Sequence, residues 1–435
     1  MGTGVLRPGV RRREVFAWAM YDFANSGYTT VVITAVFAAY FVGGVAGDAP
    51  WAAFAWTAAL SASYLIVMLT SPAIGAYADL HGAKKRLLML TTLGCVVSTA
   101  ALATVTPGAV ALAMALIIVS NTFYSWGESL TAAFLPELAE PQSMGRVSGW
   151  GWGLGYVGGM LALGLSLAYV LHAQASGIGA DTFVPVTMLI TAAVYGLASL
   201  VTFGWLTERA QPKAGAALAA SAGVGASLAQ LRCTLGQLRE FPDFAWLLVC
   251  AVFYQGGVAV AITLAAIYAE SVIGFEKQET MILIFALNIA AALGALAWGY
   301  LQDRVGHKLA LAATLVGWIL TCVLAALSRD KADFWWAAAV AGLCMGSSQS
   351  AGRAIAGLLA PPAQSAEFFG LWTFATRLSA VIGPLAYGAI TWATSGNQRV
   401  AIACTTVLFV AGLIALKPVN LQRGRATALR SVTPV

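Results

Sequence analysis

Four ionisable side chains lie inside long apolar stretches of the sequence, where a charge is costly. These residues are Asp22, Glu128, Arg353 and Arg377. Each costs about 2.5–3.5 kcal/mol at the centre of a membrane-spanning helix, so a partner or a polar ligand is expected beside it. A carboxylate in dry surroundings can take up a proton, and a guanidinium binds a carboxylate or phosphate through two parallel hydrogen bonds. The residue types therefore predict proton coupling at Asp22 and Glu128 and anion binding at the two arginines.

Two of these charges occupy corresponding positions in an internal repeat. Glu128 and Arg353 each follow a glycine and are separated by 225 residues. One interpretation is a structural ion pair between them that latches the cytoplasmic side. In the other, Arg353 or Arg377 binds an anionic group of a substrate, while Asp22 or Glu128 takes up the coupling proton. The sequence leaves both interpretations open.

Uncharged polar and aromatic side chains lie at the same depth as these charges. The predicted substrate contacts, besides Arg353 and Arg377, are Tyr21, Asn25, Trp126, Tyr254 and Gln255. Asn25 and Gln255 are equally consistent with contacts that join two helices, and the aromatic residues are candidates because they lie level with these two amides. All three histidines lie in or beside loops, so proton coupling would have to use carboxylates.

The sequence contains no pattern typical of an enzyme site. It has no nucleophile elbow, no phosphate-binding loop and no His or Cys pair at metal-ligand spacing. We therefore predict that the protein is not an enzyme, needs no cofactor or metal, and has a small molecule as its partner.

The elements that must position these residues are membrane-spanning helices. The chain has 435 residues, of which 60% are hydrophobic and only 10% charged, and its mean hydropathy is +0.80. These values exclude a soluble globular protein. Runs long enough to span a bilayer cover residues 15–43, 51–78, 87–106, 108–135, 146–171, 183–207, 243–269, 279–302, 309–328, 333–360, 367–394 and 398–417. The prediction is an all-α membrane protein with twelve transmembrane helices.

Two short charged loops repeat between these spans. GAYADLHGAKKR at residues 75–86 recurs as GYLQDRVGHK at residues 299–308. An Asp at a helix end can approach the positive N-terminus of a neighbouring helix, while Lys and Arg can anchor to lipid headgroups. We predict a role in conformational gating for Gly75, Asp79, Gly82, Lys84 and Arg86, and for Gly299, Asp303, Arg304 and Gly306.

The paired loops resemble the cytoplasmic signature of the major facilitator superfamily. The resemblance implies two pseudo-symmetric six-helix bundles that rock about a central site between spans 1, 4, 7 and 10. We place the first bundle at residues 1–207, a cytoplasmic linker at 208–241, the second bundle at 242–418 and a cytoplasmic tail at 419–435. Residues 226–240 are compatible with a short amphipathic helix, and the last 15 or so residues are expected to be disordered.

Basic residues near the span ends set the predicted orientation. Most of the 24 Lys and Arg fall on one side if both termini are cytoplasmic. This bias accounts for the net charge of +6 without a nucleic-acid partner. We expect a monomer in the cytoplasmic (inner) membrane that contacts membrane lipids.

Four patches are similar to a narrower branch, the vacuolar amino-acid effluxers related to an autophagy-associated permease. They are WAMYDFANS at residues 18–26, FLPELA at 134–139, GRVSG at 145–149 and EFFGLW at 367–372. The resemblance implies export or exchange of amino acids or similar zwitterions, whose ammonium could meet Asp22 and whose carboxylate could meet Arg377. The predicted function is secondary active transport of a small polar or zwitterionic solute by alternating access, coupled to H+. The alternatives are a multidrug-type efflux antiporter and a membrane sensor of the same fold without transport.

Overall fold

The computed structural model describes residues 4–212, 236 and 238–430 and is built from long helices. In chain order they are α1 (Arg12–Gly27), α2 (Ala52–His81), α3 (Lys84–Ala101), α4 (Val110–Ala132), α5 (Met144–Ala175), α6 (Ala180–Trp205), α7 (Pro242–Tyr268), α8 (Lys277–Val305), α9 (His307–Leu327), α10 (Lys331–Leu359), α11 (Ser365–Ala393), α12 (Gln398–Leu416) and α13 (Leu421–Arg430). Shorter helical segments extend α1 as far as Val45, and a single turn, Leu135–Leu138, follows α4.

Eleven helices in the described part of the chain are long and apolar enough to cross a membrane. The twelfth predicted span corresponds to α10, a continuous helix of 29 residues. Its apolar sequence contains the polar residues Ser347, Ser348, Gln349, Ser350 and Arg353. The prediction of a multi-pass, all-helical membrane protein is confirmed. A crossing by α10 stays a prediction.

The two halves repeat the same pattern of helix packing. In the first half α1 packs against α5 and α6, and α4 packs against α2 and α3; in the second half α7 packs against α11 and α12, and α10 against α8 and α9. A Cβ atom at Gly158 of α5 would lie 2.1 Å from a backbone oxygen of α1, and one at Gly383 of α11 would lie 2.1 Å from a backbone oxygen of α7. The halves meet where α2 packs along α11 and α5 along α8. The face that carries residues 75–86 and 299–308 is called the loop face below.

The expectation of a disordered tail is wrong for residues 421–430, which form α13. Asp243, at the start of α7, accepts hydrogen bonds from the Asn420 backbone N–H at 2.7 Å and from the Arg423 guanidinium at 2.7 and 2.9 Å. This bonding to Asp243 raises the pKa of Arg423. Gly424 packs against Asp243 and Leu359. The polar composition of residues 421–430 did not predict this helix, because contacts with residues distant in sequence stabilise it.

The proposed linker helix at residues 226–240 lies largely outside the described residues. Its described end contains a short turn, Leu238–Glu240. The predicted domain boundaries stay predictions.

Candidate functional site

Arg353 of α10 lies in a closed polar cluster that joins the two halves. Its Nη1 donates to Asp22 Oδ2 of α1 at 2.7 Å. Its Nε donates to the Ser148 hydroxyl at 3.1 Å, and its Nη2 donates to the Ser148 carbonyl at 2.9 Å. The rings of Trp18 and Trp152 lie 4.7 and 5.3 Å from the guanidinium carbon. The side chains of Asp22 and Arg353 are 11% and 7% exposed, so this pair is satisfied and largely closed to a ligand.

Arg377 of α11 forms a second pair across the halves, with Glu128 of α4. This pair is more open, because the Glu128 side chain is 35% exposed and that of Arg377 is 15% exposed. The rings of Tyr64 and Tyr124 lie 5.6 and 6.0 Å from the guanidinium carbon, within the range of a cation–π contact. Arg377 Nε is buried and has no acceptor among the described residues. The second pair therefore retains capacity to bind an anionic group.

The predicted ion pair between Glu128 and Arg353 is wrong. Arg353 binds Asp22 and Glu128 binds Arg377. Positions related by the internal repeat need not contact each other. Here Asp22 of α1 lies within ion-pairing distance of Arg353, and Arg377 of α11 lies within ion-pairing distance of Glu128. Each pair therefore takes its acid from the first half and its base from the second.

Two of the predicted substrate contacts form hydrogen bonds within the first half and none to the ion pairs. The Tyr21 hydroxyl is 3.1 Å from both the Thr92 and the Tyr195 hydroxyls, and Tyr21 is fully buried. Trp126 Nε1 donates to the Thr70 hydroxyl at 2.9 Å. In the state described, both side chains join helices.

Three others lie on helices α1 and α7. Gln255 and Gln349 exchange hydrogen bonds of 2.8 and 3.2 Å between α7 and α10, and Gln255 Nε2 also donates to the Tyr254 hydroxyl at 3.3 Å. Asn25 is three residues from Asp22 and therefore shares its face of α1. The Asn25 side chain is buried and makes no hydrogen bond to another described residue. Of these three, only Asn25 has unused hydrogen-bonding capacity beside a buried pair.

The aromatic partners of the arginines were not among the predicted site residues. Trp18 precedes Asp22 by four residues and Tyr124 precedes Glu128 by four residues, a spacing that places the ring and the acid on one helix face and could have identified both rings. Tyr64 and Ser148 belong to other helices from the charges that they contact, so no local pattern could have found them.

The two signature loops place an Asp carboxylate at the N-terminus of a helix from the other half. Asp79 Oδ2 accepts from the backbone N–H of Glu367, in the first turn of α11, at 2.9 Å. Asp303 accepts from the backbone N–H groups of Gly145 and Arg146, in the first turn of α5, at 3.0 and 3.2 Å. The positive end of a helix dipole favours a carboxylate in this position. The halves are thus joined at two corresponding points on the loop face.

Glycines allow the close approach that these hydrogen bonds require. A Cβ atom at Gly75 would lie 2.1 Å from a backbone oxygen of α11, and one at Gly299 would lie 2.7 Å from a backbone oxygen of α5. Gly82 ends α2 with a φ of 57°, and Gly306 ends α8 with a φ of 96°. Since non-glycine residues rarely adopt positive φ, both turns favour glycine.

The expectation that the lysines of the signature loops anchor to lipid is wrong for Lys84. Lys84 is 1% exposed, forms an ion pair with Glu137 and donates to the Ser365 hydroxyl of α11 at 3.1 Å. Arg86 and Arg304 are exposed, and for them lipid contact stays a prediction. Nearby, Glu208 accepts from the backbone N–H of Lys85 at 2.6 Å, and burial raises the pKa of Glu208.

Comparison with known proteins decides the family. A family model described as "Vacuole effluxer Atg22 like" matches residues 52–429. The chain belongs to this family. An uncharacterized MFS-type transporter, YxiO of Bacillus subtilis (strain 168), is 29% identical to it over 407 residues, which are 92% of this chain and 93% of that protein. Autophagy-related protein 22-1 of Penicillium rubens is 22% identical over 306 residues, which are 65% of this chain but only 50% of the fungal protein.

Solved structures show the same fold as this Atg22-like chain. The human organic anion transporter MFSD10 gives a TM-score of 0.74 at 15% identity, with 93% of this chain and 99% of that chain covered. The Escherichia coli fucose:proton symporter FucP gives 0.70 at 13% identity, with 94% and 98% covered. The predicted membership of the major facilitator superfamily and of its Atg22-like branch is confirmed. Family and fold together make the chain a multi-pass membrane transporter of the secondary type.

Proposed function

We propose that this Atg22-like transporter moves a small polar or zwitterionic solute, such as an amino acid, by alternating access and with proton coupling. The observation that carries the proposal is the ion pair between Glu128 and Arg377. It crosses the two halves, it is partly exposed, and one guanidinium nitrogen has no acceptor among the described residues.

The chemistry of this pair matches both ends of a zwitterion. A guanidinium binds a carboxylate through two parallel hydrogen bonds, so the solute carboxylate would take Arg377. The ammonium of the solute would bind Glu128, whereas the sequence suggested that it would bind Asp22. The rings of Tyr64 and Tyr124 flank Arg377 and would pack against the body of the solute.

Exchange of ionic partners would couple solute binding to movement of the halves. Separation of Glu128 from Arg377 without a replacement would leave the largely buried Arg377 charge without its partner, which costs free energy. A zwitterion replaces both partners at once, so Glu128 and Arg377 can separate without this cost. Solute binding would therefore release one of the links between the two halves.

The closed pair between Asp22 and Arg353 would act as a latch between the halves. Arg353 contacts Ser148, about 6 Å along α5 from its loop-face end. With the predicted orientation, the latch, the two Asp contacts and Lys84 close the cytoplasmic side.

Glu128 is the proposed proton carrier. Its exposed fraction gives a proton access, and protonation removes the negative charge that holds Arg377. Asp22 is enclosed by Arg353 and two tryptophans, so we assign it to the latch.

A second candidate, efflux of amphipathic drugs, is favoured by one observation. A cavity of about 700 Å³ lies between the far ends of α7 and α11 and the start of α12, and its apolar, aromatic, hydroxyl and amide side chains carry no formal charge. Its lining includes Tyr387 and Trp392. An uncharged cavity of this size suits an apolar molecule better than a zwitterion.

Ligand-dependent thermal unfolding of the purified protein would distinguish these functions. Amino acids, betaines, sugars, organic acids and amphipathic cations would be compared, because a ligand that binds only the folded state raises the unfolding temperature. The best ligand would then be tested for flux into proteoliposomes with and without a pH gradient. Stabilisation and flux by a zwitterion are expected; stabilisation only by amphipathic cations would favour the second candidate. Absence of flux for any compound would favour a sensor without transport.

A further inference from the structure

A small cavity near the loop face is lined by two arginines and no acid. Its volume is about 30 Å³, and Arg7 and Arg425 contribute the charged groups. The other lining residues are prolines, a glycine and aliphatic side chains, among them Pro136, Leu358 and Leu429. The cavity is therefore positively charged and otherwise apolar.

Three parts of the structure meet at this cavity, and the first of them is built from two segments of the chain. The segment before α1 pairs with the segment after α4, because the Arg7 backbone N–H donates to the Leu138 carbonyl at 3.1 Å and the Glu140 N–H donates to the Val5 carbonyl at 3.1 Å. The end of α10 supplies Leu358. The third part, α13, is fixed by its contacts with Asp243 and supplies Arg425. Both arginines thus come from segments outside the membrane-spanning helices.

The two guanidinium groups lack neutralising partners in the described structure. Neither Arg7 nor Arg425 forms an ion pair with a described residue. Glu140, next to the paired segment, does not line the cavity. Arg7 Nε is buried and has no acceptor among the described residues. A buried donor without an acceptor costs about 1–3 kcal/mol, more when it is charged, and two like charges at one cavity add repulsion. An anion between the arginines would offset both costs.

We propose that this cavity binds one small inorganic anion of halide size, such as chloride. Its volume provides room for about two water molecules. That space matches a monatomic anion better than a phosphate with its four oxygens. The bound anion would hold the segment before α1 against α13, across the loop-face ends of α4 and α10. It would thereby stabilise closure of the loop face, independently of which solute is transported.

The test uses the purified full-length protein and sodium chloride as the probe. Thermal unfolding would be followed as chloride replaces gluconate at constant ionic strength. We expect the unfolding temperature to rise and saturate with chloride and with bromide, whereas phosphate at equal ionic strength should give no saturable rise. An equal saturable rise with phosphate, or no saturable effect of chloride, would overturn the proposal.

Matched variants locate the effect. Arg7→Gln and Arg425→Gln should each abolish the chloride-dependent rise, whereas Arg430→Gln, at an exposed position of the same helix outside the cavity, should retain it. If Arg7→Gln does not fold, Arg425→Gln still tests the proposal. Arg425 is exposed, so its replacement should not prevent folding. Crystals grown with bromide should show anomalous density within hydrogen-bonding distance of Arg7 Nε. Density elsewhere only, or chloride stabilisation that persists in Arg425→Gln, would contradict the assignment.

Discussion

At the scale of single residues, the two ion pairs differ in what surrounds them rather than in their chemistry. Asp22 and Arg353 are enclosed by indole rings and a serine, and the Arg353 guanidinium donates to both Asp22 and Ser148. Glu128 and Arg377 have tyrosines beside them and partial exposure. The same two functional groups therefore suit a structural latch in one place and a ligand site in the other.

Replacement of Arg377 tests the ligand site. Arg377→Gln should weaken binding of a zwitterionic ligand more than tenfold, because Gln cannot supply two charged donors to a carboxylate. Arg377→Lys keeps the charge but not the planar fork, so an intermediate affinity is expected. Affinity would be measured by titration with the ligand identified by thermal unfolding. Unchanged affinity in Arg377→Gln would assign this residue a structural role only.

Replacement of Asp22 tests the latch. Asp22→Asn leaves Arg353 buried without its counter-charge and should lower the free energy of unfolding by about 3–5 kcal/mol. The double variant Asp22→Asn with Arg353→Gln should recover part of this loss, since no charge remains buried. Glu270→Gln, at an exposed position, serves as the control and should change the stability little. A neutral effect of Asp22→Asn in denaturant-induced unfolding would refute the assignment.

At the scale of helices and loops, the signature loops work through backbone geometry. Each Asp meets the first turn of a helix from the other half, and a glycine one turn earlier lets the two helices approach. These contacts occur in corresponding positions of the two halves, so the loop face is closed symmetrically.

A larger side chain at Gly299 should open the loop face. Gly299→Val would place a side chain against the backbone of α5, so closure would become unfavourable. Spin labels at Arg86→Cys and Arg304→Cys, in a background without the six native cysteines, would report the distance between the halves by electron paramagnetic resonance. We expect longer distances in Gly299→Val and unchanged distances in Gly204→Val, where no atom lies within 4 Å of an added Cβ. Identical distance distributions in both variants would contradict this role.

The sequence was informative about these elements to different degrees. The apolar runs predicted the helices because length and hydropathy are local properties, and the repeat predicted the corresponding loops. The partners of Asp22 and Glu128 could not be predicted, because they depend on how α1 and α11 are rotated within the bundles. The helix α13 was missed since its stability comes from Asp243, which is 180 residues distant from Arg423.

At the scale of the whole molecule, the two halves are joined by contacts that do not need the linker. Packing of α2 along α11 and of α5 along α8 is supplemented by two ion pairs and by the Asp contacts at the loop face. Most of the fold can therefore be described as two repeats and the interface between them.

Cleavage of the linker tests this description. A specific protease site inserted between residues 208 and 241 should, after cutting, leave the two halves associated, because the contacts between them are independent of the linker. Size-exclusion chromatography would show one complex, and its unfolding temperature should fall only slightly. Combining the cut with Asp22→Asn should promote dissociation. Separation of the halves by the cut alone would show that the linker holds them together.

The division of charge between the halves also has a consequence for how the chain enters the bilayer during synthesis. The acids of both ion pairs belong to helices of the first half, and the bases of both pairs belong to helices that are made near the end. Until α10 and α11 arrive, α1 and α4 carry carboxylates in hydrocarbon with no guanidinium to neutralise them. A nascent chain truncated before α10 should therefore be a better substrate for membrane quality-control proteases than the finished protein.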